Sequence, residues 1–423
     1  MAAPMADVQP LRTLRYDLAT VGSLDAVAAP PYDVIDAPLR AELAAKSPFN
    51  VVEVDLPEAN GGDPYLHAQT TMEAWLQQGV VTREREAAMW AMTQDYTGPD
   101  GNSYTRHGFF CRVRVEDYGP GRIRPHERTQ PGPKEDRLRL TRATRANLSP
   151  IFSLFPDADG VAWQVLEAST QAEPYATVTD ADGTLNRLWR IADPEVIAAV
   201  QSALAEKELL IADGHHRYET ARVYEEEIGG EGAHSYVLMF LCSLQDSGLT
   251  IFPTHRLLKD LSDDRRQALR DTIEQHFDVT EVAADELEPP ADGGPVAFGY
   301  LDSVDKRPLR LTLKDQSAAD EALPDRSEAY RHLDTAVLEA LILKGALGMS
   351  EDDVANKRGL GYSKDFADAR DAVESGRADA AFFMRATPVE QVREVAEAGE
   401  SMPPKSTFFY PKIPTGLVFN PLD

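Results

Sequence analysis

Apolar residues recur along this chain in two rhythms, every second position in some stretches and every third or fourth in others, and the switches between them outline its elements. AMWAMTQDY and GFFCRVRVED are two β-rich runs separated by the turn-like TGPDGNSYTRHG, which predicts a β-hairpin between Ala88 and Val115. Upstream, the stretch from Ala28 to Pro57 reads as a turn (AAPPYDVI), an alanine-rich helix and an edge strand (FNVVEVDLPE). LHAQTTMEAWLQQGV has helical spacing up to Gly79. In the middle of the chain a helical pattern from Pro194 to Lys207 leads into the apolar strand LLI, a second helix from Tyr218 to about 228, and the β runs SYVLMFLCSL and LTIFPTHRLL.

The later part predicts a hairpin (VAFGYLD with RPLRLTL), an amphipathic helix (YRHLDTAVLEALILKGAL) and a helix stopped by Gly376. A buried strand (AAFFMRAT), a last helix (VEQVREVAEAGE) and an aromatic tail follow. EVAADELEPPADGGP, residues 281–295, has the content of a linker or exposed loop. The fold class expected is α/β with mixed sheets and flanking helices, in two to three domains. Residues 1–185 form a mixed N-terminal region, 186–290 a central α/β unit and 291–423 a C-terminal region whose tail returns to the site.

With 423 residues the chain has enough material for more than one core. Only Cys111 and Cys242 are present and neither lies in a CxxC pair, which excludes a disulfide framework and a four-cysteine zinc site. The first residues lack a basic region followed by an apolar run, and no window approaches 18 consecutive apolar residues, so a cytoplasmic protein without membrane partners is expected. There are 70 acidic against 43 basic residues, a net −27. Such a surface repels phosphate backbones, so small ligands are expected rather than nucleic acid.

The densest chemistry lies at Asp213-Gly214-His215-His216-Arg217, where a strand ends in a glycine turn and feeds a helix. A helix N-terminus offers free N–H groups and a favourable dipole to anions. Gly214 would let the backbone approach a phosphate, Arg217 would grip it, and Asp213 would hold a divalent ion or accept a hydroxyl proton. The bland alternative is a packed turn, with Asp213 as helix cap, Glu219 paired with Arg217, and at least one histidine structural.

Two other stretches carry candidates. RPHERTQPGPKEDRLRL, read as a proline-punctuated loop inside the basic segment 122–145, offers His126, Glu127, Thr129, Lys134 and Arg137. His126 and Glu127 suit a general base with its partner or two metal ligands, and Lys134 and Arg137 suit phosphate. A solvated arginine loop paired with the acidic surface accounts for them as well. In the tail, Lys405 and Ser406 suit an oxyanion and Lys412 follows, whereas Phe408, Phe409 and Tyr410 read as a docked strand. Tyr32, Asp33, Asn147, and the pair His255 and Arg256 are weaker candidates; a satisfied core histidine is the commoner role for His255. No P-loop, dinucleotide fingerprint, HExxH or GxSxG motif occurs.

PPYDVI, PHERT with KEDRL, ADGHHRYETA, FPTHRLL and MPPKSTFFYPKIPTGLV, in this order over nearly the whole chain, resemble the domain of unknown function family 1015. DGHHR alone is similar to the strand–turn–helix box of the ParB-like superfamily, which includes free-serine kinases and nucleotide-switched DNA-binding proteins. That resemblance implies Asp213 near a metal or substrate hydroxyl and His215, His216 and Arg217 around nucleotide phosphates, with Glu127 as candidate for the catalytic glutamate. The activity expected is phosphoryl transfer between ATP or ADP, with Mg²⁺, and a small hydroxylated metabolite such as serine. The alternatives are a metal-dependent hydrolase using His126, Glu127, Asp213 and His215, and a non-enzymatic nucleotide-sensing module.

Overall fold

The computed structural model describes residues 6–59, 61–98, 100–127, 131–291 and 293–423. The chain divides into two compact units that interleave in sequence: Met1–Pro125, Thr129–Thr250 and Pro411–Asp423 form the first, and His126–Arg128 with Ile251–Tyr410 the second. Both mix helices and strands, the α/β content that the two rhythms predict.

The first unit is built on a nine-stranded mixed sheet. Its strands are Val8–Gln9 (β1), Met89–Thr97 (β2), Ser103–Arg114 (β3), Ile123–Arg124 (β4), Ile151–Phe155 (β5), Ala176–Thr179 (β6), Leu185–Ile191 (β7), Leu209–Asp213 (β8) and Tyr236–Ser243 (β9). Their order is β4-β8-β5-β9-β3-β2-β7-β6, with β1 beside β3. The expected hairpin is β2–β3, antiparallel from Trp90 opposite Phe110 to Thr97 opposite Ser103. Alternate residues on these strands (Phe109, Cys111 and Val113; Val237, Met239 and Leu241) point to one face, as a period of two requires. That face is covered by helices Val161–Thr170, Pro194–Leu204 and His215–Ile228 through Leu166, Val200 and Tyr218.

Three expected elements differ. FNVVEVDLPE does not form an edge strand; Val52–Asp55 is a single helical turn, because Asn50 accepts from the Val52 N–H at 3.1 Å and donates to Ala26 O at 2.9 Å. Val51, Val52 and Val54 are all buried, so a run rich in β-branched residues reflects burial here and not pleating. PGPKEDRLRLTRAT is the helix Pro131–Thr144 and not a loop: its two prolines fall in the first turn, where a missing N–H costs nothing. YRHLDTAVLEALILKGAL is not one helix but Glu328–Arg331, Asp334–Val337 and the π-helical Leu338–Ala346, with the break at His332 and Leu333.

The second unit carries a six-stranded sheet: His255–Leu258 (β10), Phe277–Glu281 (β11), Ala297–Asp302 (β12), Leu309–Leu313 (β13), Leu360–Ser363 (β14) and Ala380–Phe383 (β15), ordered β11-β13-β12-β15-β10-β14. Every pairing is antiparallel, including the expected β12–β13 hairpin. Phe298, Phe382 and Leu311 face the cluster formed with Leu269, Ile273 and Ile342, while Phe383 and Leu301 face Ala369 and Val373 on the other side. Among the described residues no helix is long and apolar enough to cross a membrane.

Candidate functional site

Strand β8 delivers the turn. Leu209 to Ala212 are buried, and the strand pairs parallel with β4 and antiparallel with β5, the register slipping between Ile211 and Asp213. Gly214 then takes φ 97° and ψ 27°, a left-handed conformation that residues with a Cβ enter at a cost of about 1–2 kcal/mol. A Cβ on Gly214 would lie 3.0 Å from the Arg217 guanidinium, which would have to shift by a few tenths of an ångström to admit it. The helix His215–Ile228 starts immediately after, with Gly214 as its cap. Asp213 is therefore not the cap. Its carboxylate forms ion pairs instead: Oδ2 lies 3.2 Å from Arg217 Nη2 and Oδ1 3.3 Å from Lys412 Nζ. Arg217 Nη1 also donates to Pro150 O.

Burial alone would raise the Asp213 pKa. The charges of Lys412, Arg217 and His215 outweigh it and hold the carboxyl well below the usual range. His215 is buried beside this carboxylate and His216 is half-buried. Glu219 does not pair with Arg217; its carboxylate faces Lys134 at 4.0 Å and Arg222 at 3.5 Å.

Two residues that the sequence did not single out place Lys412. Arg106, wholly buried on β3, donates to Pro411 O at 2.6 Å and to Gln94 Oε1 at 3.0 Å, and Gln94 donates to Lys412 O at 3.3 Å. The tail backbone is thus fixed by side chains about 300 residues away, which brings Lys412 to Asp213.

On the other side of Arg217 lies a cavity of about 40 Å³, lined by Tyr32, Asp55, Arg137, Ser149, Arg217 and Thr220 among others. Arg137 turns inward, Nη1 donating to Asp55 O at 2.7 Å and lying 3.3 Å from Asp55 Oδ1, with its guanidinium 4.2 Å from the Tyr32 ring centre. Ser149 donates to Asp55 Oδ2 at 3.1 Å and meets Thr415 Oγ1 at 2.7 Å. Burial raises the Asp55 pKa against the pull of Arg137, Ser149 and Arg217, and burial pushes Tyr32 up to about 12, so Tyr32 stays a phenol. Asp55 was hidden within the valine run that suggested a strand. Asn147 is structural: its Oδ1 accepts from Leu238 N and from Asn420 Nδ2.

The basic segment is neutralised by acidic neighbours. Arg124 pairs with Glu208, Arg139 with Glu135 and Arg142 with Glu227, while Arg137 is shared between Asp55 and Asp136. The exposed pairs Arg139–Glu135 and Arg142–Glu227 contribute little, the second about 0–1 kcal/mol.

The remaining candidates belong to the second unit, where the PHE segment meets the tail. His126 Nε2 hydrogen-bonds Thr407 Oγ1 at 2.8 Å, its carbonyl accepts from Met402 N at 2.7 Å, and Glu127 bridges Met402. Arg256 donates to the carbonyls of Pro404 and Lys405 at 3.2 and 3.1 Å. Ser406 is committed to the loop, donating to Pro403 O at 2.7 Å and meeting Thr335 at 2.8 Å, and Lys405 is exposed with φ 60°. His255 accepts from Met384 N at 3.2 Å among Phe366 and Phe383; burial and the adjacent Arg256 push its pKa down to about 4. It is a satisfied core histidine. Thr129 lies outside the described residues.

Fold and turn together define an α/β protein with a charged strand–glycine–helix site. The chain belongs to the family described as Protein of unknown function (DUF1015), whose model matches residues 8–336, as PPYDVI and ADGHHRYETA lead one to expect. No curated protein matches it. Among solved structures it is similar to a conserved hypothetical protein from Pyrococcus furiosus (17% identity over 72% of this chain and 93% of the other, TM-score 0.37). It is also similar to a free serine kinase in complex with AMP (14%, 71% and 86%, TM-score 0.37) and to SbnI with C-terminal truncation from Staphylococcus aureus (11%, 72% and 84%, TM-score 0.35). Similarity at this level carries no argument about activity.

Proposed function

We propose that this protein transfers a phosphoryl group between a nucleotide and a small hydroxylated metabolite at the 213–217 turn. The observation that carries the reading is Asp213, kept ionised between Arg217 and Lys412 at the N-terminus of a 14-residue helix. Phosphoryl transfer demands positioning and charge neutralisation more than covalent chemistry from the protein. Helix N–H groups, a guanidinium and an ammonium gathered on one turn suit phosphate oxygens.

A carboxylate so strongly held in its charged form is a weak proton acceptor. In this reading Asp213 therefore positions Arg217 and Lys412, and His215 orients beside it. The residues do not fit a protein-held Mg²⁺ on Asp213, because both oxygens already face cations that repel a divalent ion. No step is routed through a metal. Among the described residues no cluster of three His, Cys, Asp or Glu side chains stands where it could hold a metal ion, so nothing favours the hydrolase alternative over transfer. The test is incubation of the full chain with ATP or ADP and a panel of hydroxylated metabolites that includes serine. Phosphorylated product supports the reading; nucleotide that neither binds nor turns over rejects it.

A further inference from the structure

Three buried polar side chains stand in one row across the sheet of the first unit. Asn186 on β7 lies opposite Gln94 on β2, and Gln94 opposite Arg106 on β3, so all three point to the same face. Each is 2% exposed or less. Polar groups buried in this way must be matched, and here the matching runs in one direction. Arg106 can only donate, and it gives a hydrogen bond to Gln94 Oε1 at 3.0 Å. The Gln94 amide therefore turns its Nε2 the other way, donating to Asn186 Oδ1 at 2.8 Å. Asn186 donates from Nδ2 to the carbonyls of Val178 and Thr184, both at 3.2 Å, which leaves its Oδ1 for Gln94 and braces the amide.

The row ends on the tail. Arg106 also donates to Pro411 O at 2.6 Å, and Gln94 Nε2 to Lys412 O at 3.3 Å. Two successive carbonyls are held in this way, and from that point the Lys412 side chain reaches Asp213 at 3.3 Å. Further on the tail has an anchor of its own, for Ala29 and Thr415 exchange backbone hydrogen bonds at 3.1 and 2.8 Å. Loss of the row therefore releases the backbone at 411–412 without undocking the tail. Apolar side chains would fill the same space without desolvating polar groups, whereas only donors can hold two carbonyls in register. We infer that Gln94, braced by Asn186, is a positioning residue for the Lys412 ammonium and acts through it on nucleotide phosphate. The effect on nucleotide rests on the phosphoryl-transfer reading; the hold on Lys412 does not.

The experiment compares the full-length wild type with Gln94→Met and Asn186→Leu, which keep side-chain size and remove the hydrogen bonds of the row. Brief acylation with an amine-reactive ester, read by mass spectrometry, reports how tightly the Lys412 ammonium is held, and Lys207, half-buried in the same unit, is the control. Positioning predicts faster modification of Lys412 in both variants, with Lys207 unchanged. An unchanged Lys412 rate overturns it, as does an equal rise at Lys207, which would report general loosening. The second measurement is calorimetric titration with ADP in the wild-type and Lys412→Met backgrounds. Each substitution is expected to weaken ADP about tenfold in the first background and to change nothing in the second. An equal loss in both backgrounds overturns the positioning role, since the effect would then bypass Lys412. If Gln94→Met does not fold, Asn186→Leu carries both measurements. Wild-type protein that binds no ADP rejects the phosphoryl-transfer reading, and the Lys412 rates still decide the positioning.

Discussion

Asp213→Asn preserves side-chain size and removes the charge that Lys412 and Arg217 share. At 3.2–3.3 Å and an effective dielectric of 20, each contact has a Coulomb energy of about 5 kcal/mol. Desolvation of the three groups offsets most of this, for Asp213 and Lys412 are each 19% exposed and Arg217 10%. Removing one partner of a buried pair costs about 3–5 kcal/mol, and the residual exposure places the expected loss near the lower figure, about 3 kcal/mol. In a unit of this size that lowers the melting temperature by about 6–12 °C.

The pH dependence has a definite sign. The folded-state pKa of Asp213 lies below its ordinary value of 3.8, so its contribution is complete above that pH and is lost as pH falls towards the folded value. The gap in melting temperature between wild type and Asp213→Asn is therefore constant from pH 8 to pH 5 and narrows below pH 4. Calorimetric melts across that range measure it. A variant that melts within about 1 °C of the wild type at pH 7 refutes the three-group arrangement.

Other consequences follow from the same contacts. Gly214→Ala forces a Cβ into a left-handed position against Arg217 and is expected to cost about 1–3 kcal/mol by denaturant titration, with loss of nucleotide binding. Arg256→Lys replaces a fork that holds the Pro404 and Lys405 carbonyls by a single ammonium, and is expected to destabilise the second unit by about 1–3 kcal/mol. His255, with its pKa pushed down to about 4, stays neutral above pH 5. Its depressed value adds stability that is complete above pH 6.5 and declines as pH falls towards 4, by up to about 3 kcal/mol, and its ring-proton NMR shift should show no titration above pH 5.

The hairpin from Ala88 to Val115 and the strand–turn–helix at Asp213 were legible because local pattern decides them: two β-rich runs around a turn-like segment in one, a glycine between strand and helix in the other. The valine run at 51–54 misled because burial on all sides erases periodicity. The helix at Pro131–Thr144 was obscured by prolines whose position in the first turn is harmless. Arg106, Gln94, Asp55 and Ser149 acquire meaning only through partners far away in sequence, Pro411, Lys412, Arg137 and Thr415, and no local signal encodes such pairings. Ser406 likewise looked available for an anion, whereas its hydroxyl closes its own loop on Pro403.

The central claim is that the Asp213–Arg217–Lys412 turn handles nucleotide phosphates. Phosphorus NMR of the full chain with ATP or ADP and L-serine or glycerol, with and without Mg²⁺, tests it most directly. The account predicts a new phosphomonoester signal that disappears in Arg217→Met and Lys412→Met. Nucleotide signals that stay unchanged in wild-type protein, or a product signal that persists in both variants, contradict it.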